Sequence, residues 1–292
     1  MFEFSVVMSV YNRRDSLYLA LCALDRTRAH YYKECIEVIV TDDGSTDDPL
    51  SAMQAFKDRF ALQYLWHPHN DFQAGLAYNR GCALARGRNV ILTDSDILLT
   101  PESLAHLSNI VQANPTVIVA GRYDWLTPMR IRPRDVYTAW DKVIVGHLPP
   151  LRIEGEPKGL LGIDPRYKTN PHMFDGERPQ TQFAAALFAG LLMFPKELYY
   201  ELGGFDEQMI GHGGQDCELS IRAQEADCCT IFSNRVRGYH MYHDRDQVAN
   251  QRACNNNVRY IAKKHDLASA GLFFWHRDDV MGIARVGEPR PE

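Results

Sequence analysis

The alternation of two hydrophobic periods along the first 121 residues constrains this chain most. "FSVVMSV" from residue 4, "CIEVIVT" from 35, "LQYLWH" from 62, "RNVILTDSD" from 88 and "TVIVAG" from 116 are short apolar runs that read as strands. Helical spacing fills the gaps. Leu17, Ala20, Leu21 and Leu24 share one face, with Asp15 expected as N-cap. Pro49 suits the first position of a second helix, with Leu50, Met53, Phe56 and Phe60 along it. "AGLAYNRGCALARG" is expected to stop at Gly87, and a fourth helix to begin with Thr100 as cap and Pro101 at its first position. Repeated β-α-β units imply an α/β fold with a Rossmann-like, mostly parallel central sheet flanked by helices.

The rhythm fails over residues 122–182, which are rich in Pro, Arg and aromatics. An inserted segment shaping a substrate cleft is expected there. Trp125, Tyr137 and Trp140 suit either stacking on a ligand or core packing. Regularity returns at "QFAAALFAGLLMFP", followed by helices at "PKELYYELGG" and "DCELSIRAQEA", strands at "DCCTIFS" and "VRGYHMYH", a final helix and a polar, loose tail. The expected division is 1–121, 122–182, 183–265 and 266–292, within one continuous fold.

Composition narrows the class. The chain is 45% hydrophobic and 24% charged, which is globular, and its net charge of -5 argues against a general nucleic-acid binder. Seven cysteines, with no C-x-x-C, fit reduced thiols, and the vicinal Cys228-Cys229 pair reads as core filling. The N-terminus turns polar too soon for a secretory signal, and no segment has the length of a membrane span. A cytoplasmic protein is expected, with peripheral attachment at the inner face of the membrane left open.

Four acidic or histidine-bearing sites can carry chemistry. Asp42 and Asp43 follow the second strand, where a doubly wound sheet binds ligands; an Asx-type turn explains them equally well. Asp94 and Asp96 flank Ser95 at a strand's end, so both carboxylates can reach one hard cation, Mg2+ or Mn2+. Two solvated turn residues are the competing reading. "GHGGQDCEL", residues 211–219, sets Asp216 at a helix start, where it serves either the helix dipole or general-base catalysis. His240 and His243 lie three apart in a strand-like run, which aims them at opposite faces and leaves one for the site.

Taken in order, "VVMSVYNR", "EVIVTDDGSTDD" and "NRGCALARGRNVILTDSDILLTPESL" resemble the nucleotide-binding half of GT-A glycosyltransferases of family 2. "AGLLMFPKELYYELGGFDE", the Gly-Gly-Gln-Asp run and the late histidine resemble the C-terminal galactosyltransferase-type segment. That segment is shared by β-1,4-galactosyltransferases and the GalNAc-transferring domain of bacterial chondroitin polymerases. The resemblance covers residues 4–246 apart from 122–182. It implies a nucleotide-sugar-binding half at 1–121 and an acceptor-binding, catalytic half at 183–265. It further implies Ser9 and Tyr11 against the uridine, Asp43 at the nucleobase, Asp94 and Ser95 at the ribose or donor sugar, Asp96 and His243 on the metal, and Asp216 as catalytic base. His212 and Gln215 stand where the family has Trp and Glu, and are carried over as acceptor contacts. Tyr78 stands where it has a basic residue.

The implied activity is metal-dependent, inverting transfer of galactose or GalNAc from a UDP-sugar to a hydroxyl of a glycan or glycolipid, in polysaccharide biosynthesis. Two rivals remain. One is a nucleotide-sugar hydrolase, which would release sugar without an acceptor, or a nucleotidyltransferase, against which "SVYNRRDS" lacks a glycine. The other is a non-catalytic nucleotide-sugar or carbohydrate-binding domain, against which the acids and His243 are all retained.

Overall fold

Strand β1, Phe4–Val10, divides its side chains between two cores. Phe4, Val6, Met8 and Val10 join one, with Val38 and Val40 of β2 (Ile36–Asp42) and Ile91 of β4 (Asn89–Asp94). Val7 joins the other with Ile39, Val90 and Leu92. Such two-sided burial needs a helical layer on each face. Helix α1, Arg14–Thr27, lays Leu17, Leu21 and Leu24 on the first face; α3, Ala74–Leu84, lays Tyr78 and Cys82 on the second. Truncating one such leucine to alanine costs about 2–5 kcal/mol.

This computed structural model describes residues 2–31, 36–151, 162–181, 187–244, 247–268, 272–277 and 280–285. The remaining strands of the main sheet are β3 (Ala61–Trp66), β5 (Ile97–Leu99), β6 (Ile118–Trp125), β7 (Leu191–Pro195) and β8 (Thr230–His240). Their order is β3-β2-β1-β4-β7-β6-β8-β5. The run from β3 to β4 is parallel, as are β6 and β8, while β7 is antiparallel to both its neighbours and β5 to β8. The fold is thus the mixed α/β class expected, with a mostly parallel sheet and helices on both faces. Ser9 pairs in register with Asp94 and Val10 with Asp42, so the carboxyl ends of β1, β2 and β4 form one rim.

Several local expectations need correction. Asp15 does not cap α1; Asp47 Oδ2, from the loop after β2, accepts the Arg14 N–H at 2.8 Å. Pro49 does open α2 (Pro49–Gln54), with Asp48 as its cap, but the helix ends before Phe56. Gly87 lies beyond the end of α3: a Cβ there would stand 2.7 Å from the Ser5 nitrogen, so the glycine permits close approach to β1. Helix α4 is Ser103–Ala113, two residues later than expected, because Ile97–Leu99 is drawn into pairing with β8 and Thr100 N–H bonds Arg237 O. The two strands expected around residues 227–243 are one strand, β8, which absorbs the intervening residues at a register shift opposite Gly121 and Arg122. Only Cys228 is buried; Cys229 is exposed. Cys35 and the start of "QFAAALFAGLLMFP" lie outside the described residues.

Residues 122–182 contain α5 (Pro133–Thr138), α6 (Trp140–Ile144) and α7 (Pro165–Thr169). A buried ion pair anchors α7: Asp164 holds Arg166 at 2.7 Å, and Arg166 Nη2 donates to Gly121 O. Beyond β7 come α8 (Lys196–Glu201), α9 (Gln215–Glu225) and α10 (Gln247–Lys264). The tail expected to be loose forms an antiparallel pair, Leu272–Arg277 with Val280–Arg285, whose aromatic and β-branched residues suit strands. Among the described residues no helix is long and apolar enough to cross a membrane.

Candidate active site

The loop after β2 separates its two aspartates by partner. Asp42 Oδ1 accepts the Ser45 N–H at 2.7 Å, and its other oxygen takes the Tyr64 hydroxyl, so Asp42 is the turn residue. Asp43 turns toward a cavity instead. Its carboxylate lies 3.4 Å from His67 Nδ1 and 3.2 Å from His69 Nδ1. Burial pushes the Asp43 carboxyl above its usual range, and the Gln73 N–H and the two imidazoles only partly offset this. Asp43 Oδ1 and His67 Nε2 are buried with no hydrogen-bond partner among the described residues. Tyr11 stacks on His69, ring centres 4.0 Å apart and 10° from coplanar. Ser9, Tyr11, Arg13, Asp43, Asp94, Ser95, Asp96 and His243 share the wall of this cavity, which has a volume of about 430 Å³.

At the end of β4 the two aspartates part. Asp94 Oδ1 accepts the hydroxyl of buried Tyr78 at 2.7 Å. Asp96 stands 3.4 Å from His240 Nε2 and 3.4 Å from His243 Nε2. One ligand atom from each of these three lies within 4.8 Å of the others. Strand β8 ends at His240, so the alternation expected to separate the histidines does not reach His243 and both converge. His240 Nδ1 faces Met241 O at 2.8 Å and His243 Nδ1 faces Asp244 O at 3.0 Å. Those carbonyls accept a hydrogen bond from each Nδ1–H, which keeps the proton on Nδ1 and turns each Nε2 lone pair toward the carboxylate. Burial holds His243 below its usual pKa, with Asp96 opposing. Two lone pairs facing a carboxylate is a donor set that fits a divalent cation.

The loop before α9 is bent at Gly211, Gly213 and Gly214, with φ of 82°, 105° and 93°. Only glycine takes these values without strain. Gln215 ties the bend together: its Oε1 accepts the Gly213 N–H at 3.0 Å and its Nε2 donates to Gly211 O. Asn257 of α10 adds a bond to Gly213 O at 2.8 Å. The loop aims Asp216 into a second cavity, of about 190 Å³, walled also by Phe72, Tyr123, Trp125, Pro165 and His212. His212 meets Phe72 edge-on at 5.3 Å. Asp216 Oδ1 accepts the Ala189 N–H at 3.2 Å. Its carboxyl is pushed up to about 7, first by burial and then by the Asp94 charge, against the Ala189 N–H and Arg166.

The two cavities share Phe72, Ala74, Asp94, His212, His240 and Asn250. Ser9, Tyr11, Asp43, Asp94, Ser95, Asp96, His212, Gln215, Asp216 and His243 therefore each border one of two adjoining spaces, and Asp42 borders neither. Trp125 is among the walls, but Tyr137 and Trp140 line a different pocket. Sequence reading missed His67, His69, Arg13 and Asn250, and set His240 aside. Only His240 left a signal, its place three residues before His243.

Known proteins resemble the chain in the same two blocks. Residues 5–149 match the model of glycosyl transferase family 2, and residues 178–244 that of the N-terminal domain of galactosyltransferase. The hyaluronan synthase of Pasteurella multocida is 26% identical over 75% of this chain and 22% of its own length. A validoxylamine A glucosyltransferase of Streptomyces hygroscopicus is 25% identical over 92% of this chain and 63% of its own. The chain spans less than two thirds of either relative. Two solved structures share the fold. S. aureus TarS in complex with UDP-GlcNAc has a TM-score of 0.62 at 16% identity, covering 90% of this chain and 66% of that one. A mannosyltransferase from Pyrobaculum calidifontis with GDP-Man and Mn2+ has 0.60 at 19%, covering 92% and 64%. With the family's own block on the rim of β1, β2 and β4 and the galactosyltransferase block carrying Asp216, His240 and His243, the chain belongs to glycosyl transferase family 2.

Proposed function

We propose that the protein transfers a hexose, galactose or GalNAc, from a UDP-sugar to a hydroxyl of a glycan or glycolipid, with inversion at the anomeric carbon. The observation that carries this reading is Asp216: a carboxylate with its pKa near 7, in a cavity that opens beside the Asp96–His240–His243 cluster. The solved relatives' bound UDP-GlcNAc and GDP-Man support a nucleotide-sugar donor.

In this reading the larger cavity takes the nucleotide. The Tyr11 ring offers a stacking face, Ser9 borders the site, and the Asp43 carboxylate, in the same wall, accepts an N–H of the base. Asp94 and Ser95 meet the ribose or the donor sugar. Asp96, His240 and His243 would hold Mn2+ or Mg2+, which supplies positive charge against the donor diphosphate. Arg13, in the same wall, adds a permanent cation there. The acceptor enters the smaller cavity beside His212. Asp216 takes the proton of its hydroxyl as the oxygen bonds to the anomeric carbon and the bond from that carbon to the phosphate oxygen breaks. UDP departs, and the proton on Asp216 passes to solvent. One carboxylate suffices, since no sugar-enzyme bond forms. Residues 122–182 supply Trp125 and Pro165 to the acceptor side, which supports their assignment as a cleft-shaping insertion between the halves at 1–121 and 183–265.

A screen of UDP-sugars against oligosaccharide acceptors, with and without Mn2+, tests the reading. Transfer with Mn2+ that disappears in Asp216→Asn supports it. Release of free sugar at the same rate with and without acceptor would make the protein a hydrolase, and binding of UDP without turnover of any sugar would make it a non-catalytic domain.

A further inference from the structure

Helix α10, Gln247–Lys264, lies beyond both matched blocks, residues 5–149 and 178–244, yet it walls the active site. Asn250, Cys254, Asn257 and Ile261 recur at helical spacing and share one face. The last three of them rest on the glycine bend before α9. Asn257 donates to Gly213 O at 2.8 Å, a Cβ on Gly213 would stand 3.0 Å from Cys254 Cβ, and one on Gly214 would stand 3.2 Å from Ile261 Cδ1. Lys264 clamps the far end of the helix, pairing with Asp206 at 2.7 Å and Glu218 at 2.6 Å. The bend that aims Asp216 therefore also fixes α10. The same face, followed back one turn, brings Asn250 to the place where the two cavities meet.

Inversion limits what can lie there. The anomeric carbon is bonded to the diphosphate oxygen on one side and receives the acceptor oxygen from the other. With the nucleotide in the larger cavity and the acceptor beside Asp216 in the smaller one, the transferred ring lies across the junction. Of the polar residues that border both spaces, Asp94 takes the Tyr78 hydroxyl, His240 belongs to the metal cluster, and His212 packs edge-on against Phe72. Asn250 is half-buried and adds a carboxamide, whose oxygen accepts and whose NH2 donates whatever the pH. A sugar hydroxyl does both, and its axial or equatorial direction decides whether a fixed amide can reach it. A site built to bond one hydroxyl discriminates against a sugar that aims that hydroxyl elsewhere.

We propose that Asn250 hydrogen-bonds a ring hydroxyl of the transferred sugar and thereby sets which hexose is accepted from the nucleotide donor. The position of the ring rests on the sugar-transfer reading. Because α10 lies outside the matched blocks, this preference belongs to the chain's own added helix and not to the blocks that define its family.

Isothermal titration of the full chain with Mn2+ compares UDP with UDP-galactose, UDP-glucose, UDP-GalNAc and UDP-GlcNAc. Asn250→Ala should bind the parent's preferred UDP-sugar about tenfold more weakly, bind UDP within about twofold of the parent, and lose the parent's preference between C4 epimers. Retained UDP binding reports an intact fold in that variant. Asn256→Ala, exposed on the same helix and outside both cavities, should match the parent on every ligand. The inference is overturned if UDP-sugar binding is undiminished in Asn250→Ala, if UDP itself weakens as much, if Asn256→Ala shows the same loss, or if the parent binds all four UDP-sugars alike. Sugar transfer by the parent, with an unchanged donor preference in Asn250→Ala, removes this inference and leaves the proposed function standing. Loss of the preference in Asn250→Ala, with no transfer by the parent to any acceptor, sinks the proposed transfer and leaves Asn250 as the residue that reads the donor sugar.

Discussion

Glu37, Asp124, Asp164 and Glu218 lie in the frame of the molecule, and each is tied to arginine. Glu37 holds Arg86, Asp124 holds Arg122 and Arg237, Asp164 holds Arg166, and Glu218 holds Arg222 together with Lys264. The acids around the two cavities meet other partners. Asp43 faces two imidazoles, Asp94 takes a phenol, Asp96 faces two imidazoles, and Asp216 takes a backbone N–H. Burial pushes carboxyl groups up in both places. The Ser5 hydroxyl and Arg86 N–H with the Arg86 guanidinium outweigh it in Glu37, the Asp164 N–H with Arg122 and Arg237 in Asp124, and Arg222 and Lys264 in Glu218, so these groups fall below their usual range; in Asp43 and Asp216 nothing outweighs it. Helix α9 holds the contrast within one turn, since Asp216 and Glu218 are both in its first turn. A carboxylate fixed by cations holds structure, while one left near neutrality can take a proton.

The largest expected effect separates these two acids. Asp216→Asn should lower transfer by about a hundredfold to ten-thousandfold, the range for losing a general base. Glu218→Gln should leave transfer within a few-fold at low temperature. It should instead cost about 3–5 kcal/mol of stability by leaving Arg222 and Lys264 without their buried partner. Kinetics and thermal melts of both variants check this, and an equal loss of rate in both would erase the distinction.

The pH dependence should run in opposite senses. The folded pKa of Asp216 is raised, to about 7, so its contribution to stability is full below the unfolded value near 4 and fades as pH rises to 7. Glu218 is depressed, so its contribution is present above the unfolded value and lost as pH falls through the folded one. Activity follows Asp216, and kcat/KM should fall on the acid side with a midpoint near 7. At pH 8 the Asp216→Asn variant should melt higher than the parent. A lower melting temperature would show that the carboxylate is better compensated than its surroundings indicate.

Asp96 extends the comparison to the metal cluster. Removing either histidine takes away one of three ligand groups, and His240→Ala and His243→Ala should each weaken Mn2+ binding by about tenfold or more. The sequence singled out His243 alone. Titration of Mn2+ into both variants decides the matter, and undiminished affinity in His240→Ala would restore the two-ligand set.

Strands were legible because β-branched runs carry their own signal: β1 lies at Phe4–Val10, where "FSVVMSV" stands. The acids at the strand ends were legible as acids. Residue chemistry alone left Asp42 and Asp43 even, and only the resemblance picked Asp43; what sets them apart in the fold is that Ser45 and Tyr64 claim Asp42 while Asp43 borders the cavity. His240 was misjudged for a similar reason. The argument from alternation holds only while the strand continues, and the point where β8 ends depends on its pairing with β5 and β6. Trp140 and Trp125 looked equivalent in a segment without period; α6 carries one to the far pocket and β6 the other to the cleft.

The smallest effect is expected at Gln215, which stands where the resemblance has glutamate. Its amide both accepts from Gly213 and donates to Gly211, a pair of bonds that needs an oxygen and an N–H on the same side chain. A glutamate keeps the first and loses the second, and sets its charge against the Gly211 carbonyl. Gln215→Glu should therefore lower stability by about 1 kcal/mol, one net hydrogen bond. It should change transfer less than threefold, because Asp216 keeps its Ala189 contact. The measurement pairs a thermal melt with the acceptor KM. A lower melting temperature with KM unmoved makes Gln215 the brace of the glycine bend, on the frame's side of the comparison. A changed acceptor KM with the melt unmoved would place it, with His212, among the groups that touch the acceptor.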